Sequence, residues 1–140
     1  MAGALGPAKV VFACVANAGR SQMAAAFFNT LADPTRAYAV SAGTRPAPGV
    51  HPEVVTAMRE AGVDLSGATP QYLSSTLSKD AHILITMGCG DECPLIPGLE
   101  RDDWPIEDPK DQPGERVRSI RDDIKKRVDA LIRERKWDRR

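Results

Sequence analysis

A chain of 140 residues, 42% hydrophobic and 27% charged, has the make-up of an ordinary globular domain, which excludes disordered and collagen-like chains. Basic and acidic residues balance at 19 each, so no whole-protein field for nucleic acid or an anionic membrane is expected. Three cysteines, an odd number, point to reactive or metal-binding sulfur rather than to a disulfide framework. The opening segment 1–8 is expected to be flexible and is too short for a signal peptide or a membrane span, which makes the cytoplasm the expected compartment. Residues 9–140 are expected to form a single domain.

In chain order, residues 9–13 (KVVFA) form a short apolar run predicted as a buried strand. The run passes into CVANAGRS, a loop of small residues, and then into QMAAAFFNTLA, a strong helix former that Asp33-Pro34 ends. Residues 37–42 are predicted as a second strand, followed by a loop with Gly43, Pro46, Pro48 and Gly49. A helix is predicted over 51–61, starting near Pro52 and stopping at Gly62. A weaker helical patch covers 70–77, residues 81–87 (AHILITM) read as the clearest strand, and 88–114 reads as loop. Beyond Glu115, Val117, Ile120, Ile124, Val128, Leu131 and Ile132 recur at helical spacing. Strands alternating with helices predict an α/β fold: a single open parallel sheet of about four strands, flanked by helices on both sides.

The strongest chemical signal is the run Cys14, Val15, Ala16, Asn17, Ala18, Gly19, Arg20, Ser21 at a strand-to-helix junction. Open parallel sheets bind ligands beyond the carboxyl ends of their strands, where this loop falls. Small residues let successive backbone N–H groups turn inward as an anion nest, reinforced by a helix N-terminus. A tetrahedral oxyanion suits such a nest, and Arg20 would add a forked contact to two of its oxygens. The same surroundings favour the thiolate of Cys14, to which Ser21 can donate a hydrogen bond. Asn17 tolerates left-handed backbone and can pin the loop with its side chain. A lone cysteine at a strand end is otherwise a small buried apolar residue. The placing of Arg20 six positions after Cys14, across that junction, favours the reactive reading.

Cys89 and Cys93 follow the clearest strand in GCGDECP, with three residues between them, close enough for a local disulfide. Two cysteines cannot close a zinc site, and neither His51 nor His82 has ligand spacing to them, so no metal is expected. Asp108 precedes Pro109 after Trp104; an Asp-Pro step is usually turn chemistry, and it becomes a candidate general acid only if its loop folds over Cys14.

CVANAGRSQMAAAFF, VSAGT, LITMGCGDECP, WPIEDP and the final helix RVRSIRDDIKKRVDALI, in that order, resemble the arsenate reductases built on the low-molecular-weight tyrosine phosphatase fold. The resemblance implies that Cys14 attacks arsenate held by the loop amides and Arg20, while Asp108 protonates the departing oxygen. It further implies that Cys89 resolves the Cys14 intermediate and that Cys93 passes the disulfide outward. Thioredoxin is the implied reductant ahead of mycothiol or glutaredoxin systems. No organic or metal cofactor is implied, and a monomer is expected, with phosphate or sulfate as alternative guests of the loop. The chain departs from the family at Ala16, commonly glycine, and in the closer spacing of its cysteine pair. It departs again at Gln71, near Thr69, where some relatives place an acidic potassium ligand, so potassium dependence is not expected. The rival function is a protein tyrosine or small phosphomonoester phosphatase using Cys14, Arg20 and Asp108 alike. Against that rival, Lys110 and Asp111 follow Pro109 where tyrosine phosphatases of this kind place an aromatic wall. A non-catalytic oxyanion-binding protein is a third reading.

Overall fold

The computed structural model describes residues 6–88 and 98–139. Its elements are β1 (Ala8–Cys14), α1 (Arg20–Leu31), β2 (Ala37–Gly43), α2 (Pro52–Glu60), α3 (Ser75–Ser78), β3 (Ile83–Thr86), β4 (Glu100–Asp103) and α4 (Gly114–Glu134). The strands form one sheet in the order β2-β1-β3-β4, and every neighbouring pair is parallel. β1 starts at Ala8, one residue before the predicted strand and inside the segment 1–8, because Ala8 pairs with Ala37.

Side chains of β1 and β3 alternate between the two sheet faces, and both faces are buried, so these strands read as unbroken apolar runs. Val10, Phe12, Ile83 and Ile85 share one core with Met23, Phe27 and Phe28 of α1, Val54 and Met58 of α2, and Ile120, Ile124 and Val128 of α4. Val11, Ala13 and Leu84 form a smaller cluster with Leu73, against which Leu77 packs. Among the described residues, helices therefore flank the faces unequally: α1, α2 and α4 cover one, while α3 and the segment leading into it lie on the other. α4 buries the six residues that the periodicity singled out.

Two predicted segments differ. The stretch 88–114 is not all loop, since Glu100–Asp103 (ERDD) pairs with β3 as the edge strand. No apolar pattern marks it, because an edge strand of charged residues is held by backbone pairing rather than by a buried face. The helical patch at 70–77 is mostly extended: Gly43 N donates to Gln71 O and Leu73 N to Gly43 O, each at 2.9 Å. Helix begins only at Ser75, where the Ser74 hydroxyl accepts from Leu77 N at 3.0 Å. Among the described residues no helix is long and apolar enough to cross a membrane.

Candidate active site

Cys14 is the last residue of β1 and Arg20 the first of α1, so the loop between them lies at the carboxyl end of a central strand. Its backbone orientation is set from outside. Thr44, Arg45, Ala47 and His51 donate their N–H groups to the carbonyls of Cys14, Val15, Ala16 and Ala18 at 3.2, 2.8, 2.9 and 2.9 Å. In a trans peptide the N–H points opposite to its carbonyl. The N–H groups of Val15, Ala16, Asn17 and Gly19 are thereby turned to the other side of the loop, as an anion nest requires. Gly19 brings no side chain to cap α1, which leaves the first-turn N–H groups of that helix available to an anion. Close approach of the segment after β2 depends on Gly43, where a Cβ would overlap Val15 O and lie 2.9 Å from Asn17 N.

Beneath the loop, a buried network fixes the direction of each donor. Asn17 has φ +51°, as its residue type allows, and is fully buried. Gln71 N donates to Asn17 Oδ1 at 2.9 Å. A backbone amide can only donate, so this bond turns the Asn17 NH2 toward Ser21, whose Oγ accepts it at 2.7 Å. The Ser21 hydroxyl hydrogen is then available to Cys14 Sγ, 2.9 Å away. Gln22 Nε2 braces the same residue, at 3.0 Å from Asn17 O and 3.2 Å from Oδ1, and reaches Thr69 O at 3.3 Å. Gln71 Nε2 donates to Ser41 O at 2.8 Å, so this position carries a neutral amide donor in place of a carboxylate.

Arg20 is 9% exposed, with Nη1 donating to Ile106 O at 3.2 Å and Nη2 lying 3.6 Å from Asp108 Oδ2. Asp108 does come over the loop, because β4 returns the chain beside β3 and the following segment runs back across α1. Trp104 N donates to Thr86 O at 2.8 Å, and Pro109 is buried against Gly19, where a Cβ would come within 2.9 Å of the ring. The Asp108 carboxylate accepts from Lys110 N at 3.0 Å and is 54% exposed. Asp111 N donates to Glu53 Oε2 of α2 at 3.2 Å, and Arg116 pairs with Glu107.

Cys14, Asn17, Arg20, Ser21 and Asp108 are thus brought together, with Val15, Ala16, Ala18 and Gly19 supplying backbone. Cys89 and Cys93 lie outside the described residues. Cys14 is the one free cysteine among the described residues, and no group of three or more metal-ligating side chains occurs among them. His82 sits at the opposite end of the sheet, its Nδ1 accepting from Lys9 N at 3.1 Å. Reading the sequence missed Gly43, Gln22, Gln71, Glu53, Gly88 and the Ile106 carbonyl as parts of the site. For the two glycines, a position directly after a strand was the available signal. Gln22 and Gln71 bond Asn17 of the loop, the Ile106 carbonyl accepts from Arg20, and Glu53 fastens the Asp108 segment through Asp111 N.

Comparison with known proteins agrees with this geometry. A Halobacterium salinarum protein that carries an arsenate reductase name is 42% identical over 132 residues, covering 90% of this chain and 92% of its own length. The glutaredoxin arsenate reductase of Synechocystis sp. is 35% identical over 127 residues, covering 89% and 95%. The structure of the Corynebacterium glutamicum thioredoxin-dependent arsenate reductase superposes with a TM-score of 0.80 at 36% identity. That match covers 93% of this chain, which spans 62% of the longer Corynebacterium chain. The family model described as low molecular weight phosphotyrosine protein phosphatase matches residues 9–140. With the loop 14–21 and α1 inside the matched region, the chain belongs to the low molecular weight phosphotyrosine protein phosphatase family.

Proposed function

We propose that this protein reduces arsenate to arsenite, with Cys14 as nucleophile and a cysteine relay as the source of electrons. Arsenate sits among the amides of the loop 14–21, gripped by the Arg20 fork. The Cys14 thiolate bonds to arsenic, and Asp108 gives a proton to the oxygen that departs as water. A Cys89 thiolate then attacks Cys14 Sγ. The S–S bond forms, the S–As bond breaks, and its electron pair stays on arsenic, which falls from As(V) to As(III). Cys93 attacks Cys89 in turn, frees Cys14, and leaves a disulfide for an external dithiol to reduce.

One observation carries this reading beyond oxyanion binding. The strand β3 ends beside β1, and Gly88, the residue directly before Cys89, lies against the Arg20 guanidinium. The proposed relay needs a thiol, which the sequence supplies at the next position, and a phosphatase has no use for it. The arsenate reductase names of the relatives support the same choice. Those relatives are named for both thioredoxin and glutaredoxin; thioredoxin is the proposed donor, on the likeness to the Corynebacterium structure.

The test is arsenite production measured separately with thioredoxin, glutaredoxin and mycothiol systems, with phosphomonoester hydrolysis run alongside. Arsenite from the thioredoxin system supports the whole reading. Hydrolysis without arsenite would make the protein a phosphatase. For the relay, Cys93→Ser should release about one equivalent of arsenite and stall as a Cys14–Cys89 disulfide, whereas Cys89→Ser should release none. A dominant Cys14–Cys93 bridge on mass spectrometry would reverse the two roles.

A further inference from the structure

Gly88 has φ +82°, in the left-handed region that favours glycine. A Cβ on Gly88 would overlap Arg20 Nη1 and lie 3.2 Å from Cζ and 3.7 Å from Nη2. Two independent demands therefore fall on one residue: its own backbone conformation and the space taken by the guanidinium. The helix α1 fixes only the start of the Arg20 side chain, which has several rotatable bonds and rotamer entropy to lose. The guanidinium end is defined by Gly88 on one side, the Ile106 carbonyl on Nη1 and the Asp108 carboxylate near Nη2.

We propose that Gly88 is a positioning residue for oxyanion binding, its missing side chain forming the seat that aims the Arg20 fork at the anion loop. The inference rests on Arg20 being the oxyanion ligand of the proposed function. A side chain at this position must displace one of two things. The backbone leading to Gly88 is tied on both sides, Met87 N donating to Ala13 O and Trp104 N to Thr86 O, each at 2.8 Å. Among the described residues, Arg20 is held at its tip by one hydrogen bond and a longer ion pair. The arginine yields first, so a Gly88 variant misdirects the fork while the sheet stays paired.

The experiment is a double-mutant cycle on inorganic phosphate binding, followed by calorimetry, with thermal melts to establish folding. Gly88→Ala should weaken phosphate by about tenfold, within the coupling that contacting residues show, and should add nothing in an Arg20→Ala background. Gly88→Asn, which tolerates positive φ, serves in its place if the alanine variant does not fold. Wild-type affinity in the Gly88 variant, or an equal loss in both backgrounds, overturns the proposal. Undiminished phosphate binding by Arg20→Ala would overturn the Arg20 assignment and this inference together. Loss in Arg20→Ala beside full affinity in the Gly88 variant removes the seat alone.

Discussion

The two halves of the candidate site are built differently. On the nucleophile side, Cys14 is 2% exposed and Asn17 and Ser21 are fully buried, with Gln22 and Gln71 bonded behind them. On the acid side, Asp108 is 54% exposed and sits on a segment fastened by a turn of its own, a bond to Glu53 and a surface ion pair. Buried hydrogen bonds act in a low dielectric and hold one geometry, while exposed ones are exchanged with water at little cost. The half built around the sulfur and the loop amides is therefore held in one geometry, as the proposed attack on a bound anion needs. The half that carries Asp108 stays in contact with solvent, from which the proposed general acid would be reloaded. Pro109, buried on Gly19, is where the two halves meet.

Four substitutions break or sharpen this contrast. The largest effect is expected from Cys14→Ser, which should abolish multiple-turnover arsenate reduction in a folded protein. The serine hydroxyl is a weak nucleophile, and Ser21, the hydrogen-bond partner at this position, is not a base that could activate it. Substantial turnover by that variant would remove Cys14 as the nucleophile. Asp108→Asn comes next. Loss of a positioned general acid costs about 10²- to 10⁴-fold, so single-turnover chemistry should slow by that order while phosphate affinity holds. Wild-type kinetics would reduce Asp108 to a turn residue.

Asn17→Ala probes the rigid half by stability rather than rate. It removes the donor to Ser21 Oγ and one of the acceptors of Gln22 Nε2, and leaves the part-buried Gln71 N–H without its acceptor. An N–H orphaned in this way costs about 1–3 kcal/mol, which urea unfolding resolves readily. An unchanged midpoint would show that the network tightens nothing.

The smallest effect belongs to the exposed half and depends on pH. The Arg116 guanidinium bonded to Glu107 holds its carboxyl below the usual carboxylate range. A carboxyl whose folded pKa is depressed adds stability above its unfolded value, near pH 4, and that stability is lost as pH falls through the folded value. Glu107→Gln should therefore lower the melting temperature slightly at pH 7 and leave it unaltered at about pH 2. A deficit that persists at the lower pH would point to a cause other than the ion pair.

How much of this could be read in advance divides along the range of the interactions. β1, the anion loop and α1 are contiguous, and their signals are local: an apolar run, a string of small residues, then helix formers. The long α4 was equally plain, because burial on one face leaves a periodic record in the residues themselves. Cys14, Asn17, Arg20 and Ser21 could be named from the sequence for the same reason. β4 could not, since ERDD is held by backbone pairing with β3 and carries no side-chain signature. Nor could Gln71, 54 positions from the Asn17 it orients, or the approach of Asp108 to Arg20. The sequence by itself determined which residues were candidates to bind an oxyanion and attack it. Only the tertiary structure decided how they are aimed: the outer strap at 44–51, the Gly88 seat and the returning Asp108 segment join the loop through space. Such contacts depend on where the closed chain places distant backbone, and no single segment's composition encodes that.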